Sequence, residues 1–328
     1  MHNQPLAPVA EAVPEDPDLK RETLRAAEGA GGPGTVIASN TSTIPIGSLA
    51  KACARPERVV GLHFFNPVDR MPLVEVVPSE ATAPEAVRAA VALARRLGKT
   101  PVVVRDRPGF LVNRVLAPYL QEACQLALEG APIDAVDGAM LRFGMPMGPF
   151  RLLDEVGIGV ARAAAATLAA AFPARMGEGA CAGAGVIARM DGAERFWRRR
   201  GGPFGGGRWR PNEPYLTRLL QEVRAARGVS PRGGIGGEEI VERLILIQVN
   251  EACHALAESV VEWPGAADLA MVYGTGFAPF RGGLLRHADS LGSRRCFDAL
   301  RALAGTHGPR FDPAPFLRDL AARDGTFY

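Results

Sequence analysis

Lysine is almost missing from this chain: positions 20, 51 and 99 hold all of it, and arginine supplies the rest of the 38 basic residues. The 35 acidic residues nearly cancel them, and a formal charge of +3 argues against a dedicated nucleic-acid binder. An arginine bias suits a phosphate-rich ligand through bidentate contacts, without demonstrating one. Cysteine pairing motifs are also lacking. The five cysteines (53, 124, 181, 253 and 296) are scattered, odd in number and free of any CxxC. That excludes a disulfide framework, gives no metal site, and points to a reducing, cytoplasmic setting. No apolar run reaches membrane-spanning length, so no membrane span is expected. The opening MHNQPLAPVAEAVPEDPD has neither a basic n-region nor an apolar h-region, so it does not read as a signal peptide.

What is present is a change of texture along 328 residues, enough for two or three domains. Up to about residue 108, short apolar runs (PVAEAV, TVIAS, VVGLHF, LVEVV, PVVV) alternate with amphipathic stretches such as DLKRETLRAAE and PEAVRAAVALARRLG. That alternation predicts an α/β layer. From Pro108-Gly109 onward the strand pattern stops and long helical patterns follow, so the fold class is α/β followed by all-α. The expected division is 1–108, a first helical unit 109–190, a linker region 191–236, and a second helical unit 237–328. The Gly/Arg-rich stretch DGAERFWRRRGGPFGGGRWRPN reads as a solvated linker or a basic loop near a ligand.

The helical part repeats itself. VNRVLAPYLQEACQLALE from Val112 is echoed by VERLILIQVNEACHALAE from Val241. DGAM at Asp137 is echoed by DLAM at Asp268, GPF at 148–150 by APF at 278–280, and DEVG at Asp154 by DSLG at Asp289. Ordered echoes of this kind mark a duplication. Asn113 of the first copy corresponds to Glu242 of the second, which suggests one working copy and one structural copy.

In GLHFFNPVDRMPLVEVV, residues 61–77, His63 closes one apolar run and Glu75 sits inside another. A carboxylate in a buried strand is costly unless it is paired. The two residues read either as a base with its orienting partner, or as a core histidine and an unrelated strand-end glutamate. A literal GxGxxG occurs at Gly29, Gly31 and Gly34, but it follows a helical pattern, contains Pro33 and leads into a strand. A phosphate cradle needs the reverse order, so this stretch reads as a helix-ending loop.

SNTSTIPIGSLA, GLHFFNPVDRMPLVEVV, RPGFLVNRVLAPYLQEA and GMPMGPFRLLDEVG, taken together, resemble the 3-hydroxyacyl-CoA dehydrogenase family. The tandem helical repeat is similar to the dehydrogenase portion of multifunctional α-subunits of fatty-acid β-oxidation. The resemblance implies a partial Rossmann-like, doubly wound sheet followed by duplicated helical domains. It implies NAD as cofactor and oxidation of the 3-hydroxyl of L-3-hydroxyacyl-CoA. It makes His63 the base, Glu75 its orienting carboxylate, and Ser42 and Asn113 the groups that hold the substrate oxygens. Tyr273 becomes a further substrate contact, and Glu15, Lys20, Ser42 and Asn66 become nicotinamide-side cofactor contacts. The implied partners are the acyl-CoA substrate and either a thiolase subunit or a separately encoded nucleotide-binding half. Against the family's pattern this chain starts at about the fourth strand, so weak NAD binding is expected. The alternative is a non-catalytic acyl-CoA-binding or assembly module derived from the enzyme.

Overall fold

The computed structural model describes residues 8–32, 34–200 and 208–328. Pro33 of the literal glycine motif and residues 201–207 of the Gly/Arg-rich stretch lie outside the described residues. The chain forms two compact units, one of residues up to 113 together with 255–275, the other of 114–254 and 276–328.

In the first unit the order is β1 (Pro8–Glu11), α1 (Pro17–Ala30), β2 (Val36–Ser39), α2 (Ile46–Ala50), β3 (Val59–Phe64), β4 (Leu73–Pro78), α3 (Pro84–Arg96) and β5 (Thr100–Val103). The five strands lie in one sheet in chain order. β1, β2 and β3 run parallel, β4 runs antiparallel to β3, and β5 runs parallel to β4. The sheet is thus Rossmann-like, as expected, with one antiparallel pair that the doubly wound expectation did not contain. Loop 65–72 is the cause: a parallel crossover needs a dozen or more residues, and this connection is shorter.

Periodicity decides which faces are buried. Val60, Leu62, Val74 and Val76, alternate residues of β3 and β4, pack with Ala86, Ala90 and Ala94 of α3, which recur every helical turn. The small alanines let the helix lie close to the sheet. Gly61 and Val77 face the other way, where a Cβ on Gly61 would come within 2.9 Å of Ile46 of α2. Asp16 caps α1 by accepting from the N–H of Asp18 and Leu19. Gly29 lies in the last turn of α1 and Gly31 just beyond it, so the literal GxGxxG ends a helix. Among the described residues no glycine-rich turn leads from a strand of this sheet into a helix.

The helices that follow are α4 (Val112–Leu128), α5 (Ile133–Phe143), α6 (Pro149–Val156), α7 (Ile158–Ala171), α8 (Pro173–Met176) and α9 (Gly183–Arg189). After them come α10 (Glu213–Arg227), α11 (Gly237–Ala257), α12 (Pro264–Thr275), α13 (Leu284–Leu291), α14 (Ser293–His307) and α15 (Pro315–Ala322). Two findings depart from the expected division. Helix α12 belongs to the sheet's compact unit, where it packs on β4 and β5. The supposed linker 191–236 carries the antiparallel pair β6 (Trp197–Arg200) and β7 (Arg208–Pro211), followed by α10. β6 is anchored because Asp154 accepts from the N–H of Phe196 and Trp197, both at 2.8 Å.

The duplication shows in the ion pairs of the second unit. Arg114 and Glu122 of the first copy match Arg243 and Glu251 of the second. Arg114 Nε donates to Glu251 Oε1 at 2.7 Å, and Arg243 Nε donates to Glu122 Oε1 at 2.7 Å. Each arginine pairs with the glutamate of the other copy, as a two-fold arrangement requires. Asp154 and Asp289 repeat a second role: each takes backbone N–H, Asp154 from Phe196 and Asp289 from Phe327.

Candidate active site

Strand register brings His63 and Glu75 together. They are direct partners across the antiparallel β3–β4 pair, on the face opposite α3. His63 Nδ1 lies 2.7 Å from Glu75 Oε2. Glu75 is fully buried, and its other oxygen, Oε1, accepts from the N–H of Leu111 at 3.1 Å and Val112 at 3.0 Å. Those amides point at the carboxylate because Gly109 (φ 73°) and Phe110 (φ 49°) are both left-handed, turning the chain just before α4. The first amides of a helix have no intrahelical partner and favour an anion.

An ionised carboxylate only accepts, so Nδ1 carries the proton and Nε2 keeps its lone pair. Nε2 has no hydrogen-bond partner among the described residues, while the rings of Phe65 (4.5 Å) and Phe110 (5.6 Å) hold the imidazole in place. A base needs this: one nitrogen tied to an orienting charge, the other open to a substrate.

The other expected residues divide by what they touch. Asn66, after β3, and Asn113, in the first turn of α4, make no side-chain hydrogen bond among the described residues and are at least partly accessible. Both are available to a ligand. Glu15 is engaged: its Oε1 accepts from Thr41 Oγ1 (2.7 Å), Ser42 N (3.0 Å), Thr43 N (3.0 Å) and Thr43 Oγ1 (2.9 Å). Ser42 Oγ also donates to it, at 3.3 Å. Burial works against the charged form of Glu15, but the bonds from Thr41, Thr43 and Ser42, with the Lys20 charge, hold its pKa below the usual carboxylate range. Lys20 is 1% exposed and binds both oxygens of Glu11 and the carbonyl of Val13. Its side chain is used inside the protein, leaving Glu15 and Lys20 to set the loop that presents Ser42. Tyr273 is exposed on α12, and the next residue, Gly274, approaches Leu73 of β4 and Val112 so closely that a Cβ would clash.

Sequence reasoning missed two residues. Glu11, buried in β1, receives Ser39 Oγ and Lys20 Nζ. Asn40 Oδ1 accepts the N–H of Phe64, fixing the end of β3 beside His63. The signal for Glu11 was available: it is a carboxylate inside an apolar strand run, the same argument that picked out Glu75.

The loops after β2 and β3 offer polar groups suited to the ribose and nicotinamide end of a dinucleotide, at Ser42 and Asn66. For the pyrophosphate the fit fails among the described residues, since no glycine-rich turn there leads from a strand into a helix. Fold and dyad together define a Rossmann-like α/β protein with a buried histidine–carboxylate pair. Residues 5–107 match the model of the 3-hydroxyacyl-CoA dehydrogenase NAD binding domain, and residues 109–205 match that of its C-terminal domain. The chain belongs to the 3-hydroxyacyl-CoA dehydrogenase family.

Relatives agree with this assignment. The chain is 41% identical to a fatty acid oxidation complex subunit alpha of Shewanella amazonensis, over 98% of this chain and 44% of that protein. It therefore spans less than half of the length of that relative. The solved 3-hydroxybutyryl-CoA dehydrogenase of Escherichia coli K12 superposes with a TM-score of 0.71 at 26% identity, covering 97% of this chain and 81% of that one. The dehydrogenase part of multifunctional enzyme 1 from C. elegans shares the fold, with a TM-score of 0.60 at 20% identity, covering 95% and 71%. No helix among the described residues is long and apolar enough to cross a membrane.

Proposed function

We propose that the chain carries the chemistry of NAD-dependent oxidation of L-3-hydroxyacyl-CoA to 3-oxoacyl-CoA in fatty-acid β-oxidation. The observation that carries this reading is the 2.7 Å contact between His63 and Glu75, with the remaining carboxylate oxygen held by two helix-start amides. His63 Nε2 takes the proton of the substrate's 3-hydroxyl, and the buried charge of Glu75 favours the imidazolium that forms. Asn113 and Ser42 hold the substrate oxygens, and Tyr273 contacts the bound acyl-CoA. Ser42 and Asn66 face the nicotinamide side, positioned by Glu15 and Lys20. NAD, when bound, accepts the hydride from the same carbon.

Partners follow the same reasoning. The alpha subunit named above belongs to a complex, which supports assembly with a thiolase subunit. That no strand–glycine turn–helix cradle occurs among the described residues supports a nucleotide-binding half supplied by other residues. The five free, buried cysteines support a reducing, cytoplasmic setting.

The test is reduction of acetoacetyl-CoA by NADH, followed at 340 nm across a wide range of cofactor concentration. With no such cradle among the described residues, NAD should bind this chain more weakly than micromolar, and a micromolar dissociation constant by calorimetry would refute that expectation. Turnover at high NADH should fall about 10²- to 10⁴-fold in His63→Gln. A His63→Gln variant with unchanged turnover would overturn the base assignment. Acyl-CoA binding with no turnover at any NADH concentration would favour the second reading, a binding or assembly module.

A further inference from the structure

The second copy of the duplicated helices keeps a cavity for which the proposed chemistry has no use. Within the unit of residues 114–254 and 276–328, α5, α11, α13 and α14 enclose a cleft of about 950 Å³. That is the size of a small-molecule site. Its floor is apolar, with Phe143, Ile245, Leu246 and Cys296 all buried. Its mouth is charged: Arg142, Arg295, Glu238 and Glu242 line it and are exposed. Neither arginine side chain makes a hydrogen bond or ion pair among the described residues, and the Arg142 guanidinium packs at the start of α11, 3.6 Å from where a Cβ on Gly237 would lie. Glu239, also on the rim, is engaged by Arg232 and Arg243.

The repeat register gives this cavity its meaning. Glu242 on α11 stands where Asn113 stands on α4, and Arg142 on α5 stands where Tyr273 stands on α12. Asn113 and Tyr273 are both substrate-side positions of the proposed site, and both have their mates in this cavity. The exchanges alter the chemistry. Asparagine can donate to a carbonyl oxygen, whereas an ionised glutamate only accepts. Arginine in place of tyrosine adds a guanidinium suited to a carboxylate or phosphate. His287, the cavity's histidine, lies edge-on to Phe143 at 5.2 Å, and among the described residues no strand carboxylate is its partner.

We propose that this cavity is a second acyl site that binds without catalysing: an acyl chain lies on the apolar floor, and its anionic head meets Arg142 and Arg295. This rests on the reading that the first site takes acyl-CoA, since the two are mates in the duplication. The anionic head belongs to a free fatty carboxylate or to the phosphates of a coenzyme A thioester.

Calorimetric titration with decanoyl-CoA and with decanoate tests it. Wild type should take up two equivalents of decanoyl-CoA. Arg142→Glu combined with Arg295→Glu should weaken one of them about tenfold or more, as lost charge-assisted bonds do. Ile245→Trp, checked for its fold by circular dichroism, should remove the same equivalent by filling the floor. Decanoate competing for that equivalent identifies the free acid as a ligand, and failure to compete identifies the thioester. Uptake unaffected by the arginine pair would overturn the proposal. Asn113→Asp separates the two readings: it should affect only the other equivalent. If it affects neither while the arginine pair removes one, the first site's reading fails and this one stands.

Discussion

At the scale of single residues, Glu75 decides what His63 can do. Replacing it by glutamine keeps the shape but provides one acceptor and one donor where the carboxylate offered two acceptors. The carbonyl oxygen of the glutamine should stay on the two amides of Leu111 and Val112, which make two bonds, against one from His63. The amide NH₂ then faces Nδ1, which must accept, and the imidazole proton moves to Nε2. Glu75→Gln should therefore switch the tautomer, visible in ¹⁵N chemical shifts, and lower turnover by about 10²- to 10⁴-fold. An unchanged tautomer in the variant would show that Glu75 does not orient the ring. Both members of this pair were legible as candidates, because a carboxylate in an apolar strand demands a partner, while the family resemblance, not the local pattern, favoured their pairing. Glu11 obeyed the same rule and was passed over, because no histidine nearby drew attention to it. Asn40 could not have been found: its role is one hydrogen bond to Phe64 across neighbouring strands, and nothing in the local pattern encodes that pairing.

Elements were legible where periodicity is strong and illegible where pairing is non-local. The alternation of strands, the Ala86-Ala90-Ala94 stripe and the duplicated helices all follow from local pattern. The antiparallel turn between β3 and β4 does not, because both runs are apolar throughout and alternation cannot reveal direction. The antiparallel pair β6–β7 was hidden by its composition: glycine and arginine read as linker, while its anchor, Asp154, lies far back in the chain. The duplication also sets an energetic expectation. Glu122 sits between Arg243 and Arg310, and Glu251 takes Arg114 and Arg175. All but Arg175 are nearly or fully buried, so removing Glu122 takes both carboxylate bonds from the buried Arg310 guanidinium, and removing Glu251 takes a carboxylate from buried Arg114. Glu122→Ala and Glu251→Ala should each cost about 3–5 kcal/mol, read as a lower urea midpoint. A loss below about 1 kcal/mol from either single change would mean that water or the remaining acceptors compensate the arginine.

For the whole molecule, stability against pH depends on buried carboxylates of opposite sign. Burial pushes Asp137 up to about 6, with the charge of Asp154 adding to it, although Phe150 N, Arg151 N and the Trp197 indole all donate to it. Burial opposes the charge of Glu129 as well, but the bonds and charge of Arg243 outweigh it and bring that carboxyl down to about 2. The two act in different windows. Folded Asp137 holds its proton up to about 6, while the unfolded group releases it near 3.8. Its contribution is therefore greatest below 3.8 and is lost as pH rises through 6. Glu129 behaves inversely: its contribution is complete above 4.5 and is lost as pH falls toward 2. Asp137→Asn isolates the first effect, because asparagine does not titrate. The stability of wild type minus that of Asp137→Asn should fall by something on the order of 3 kcal/mol between pH 4 and pH 7. Urea unfolding followed by tryptophan fluorescence suits the measurement, since the Trp197 indole donates directly to this carboxylate at 2.9 Å. A difference that stays flat, or rises with pH, would mean that the three donors outweigh burial and keep Asp137 charged in the folded protein.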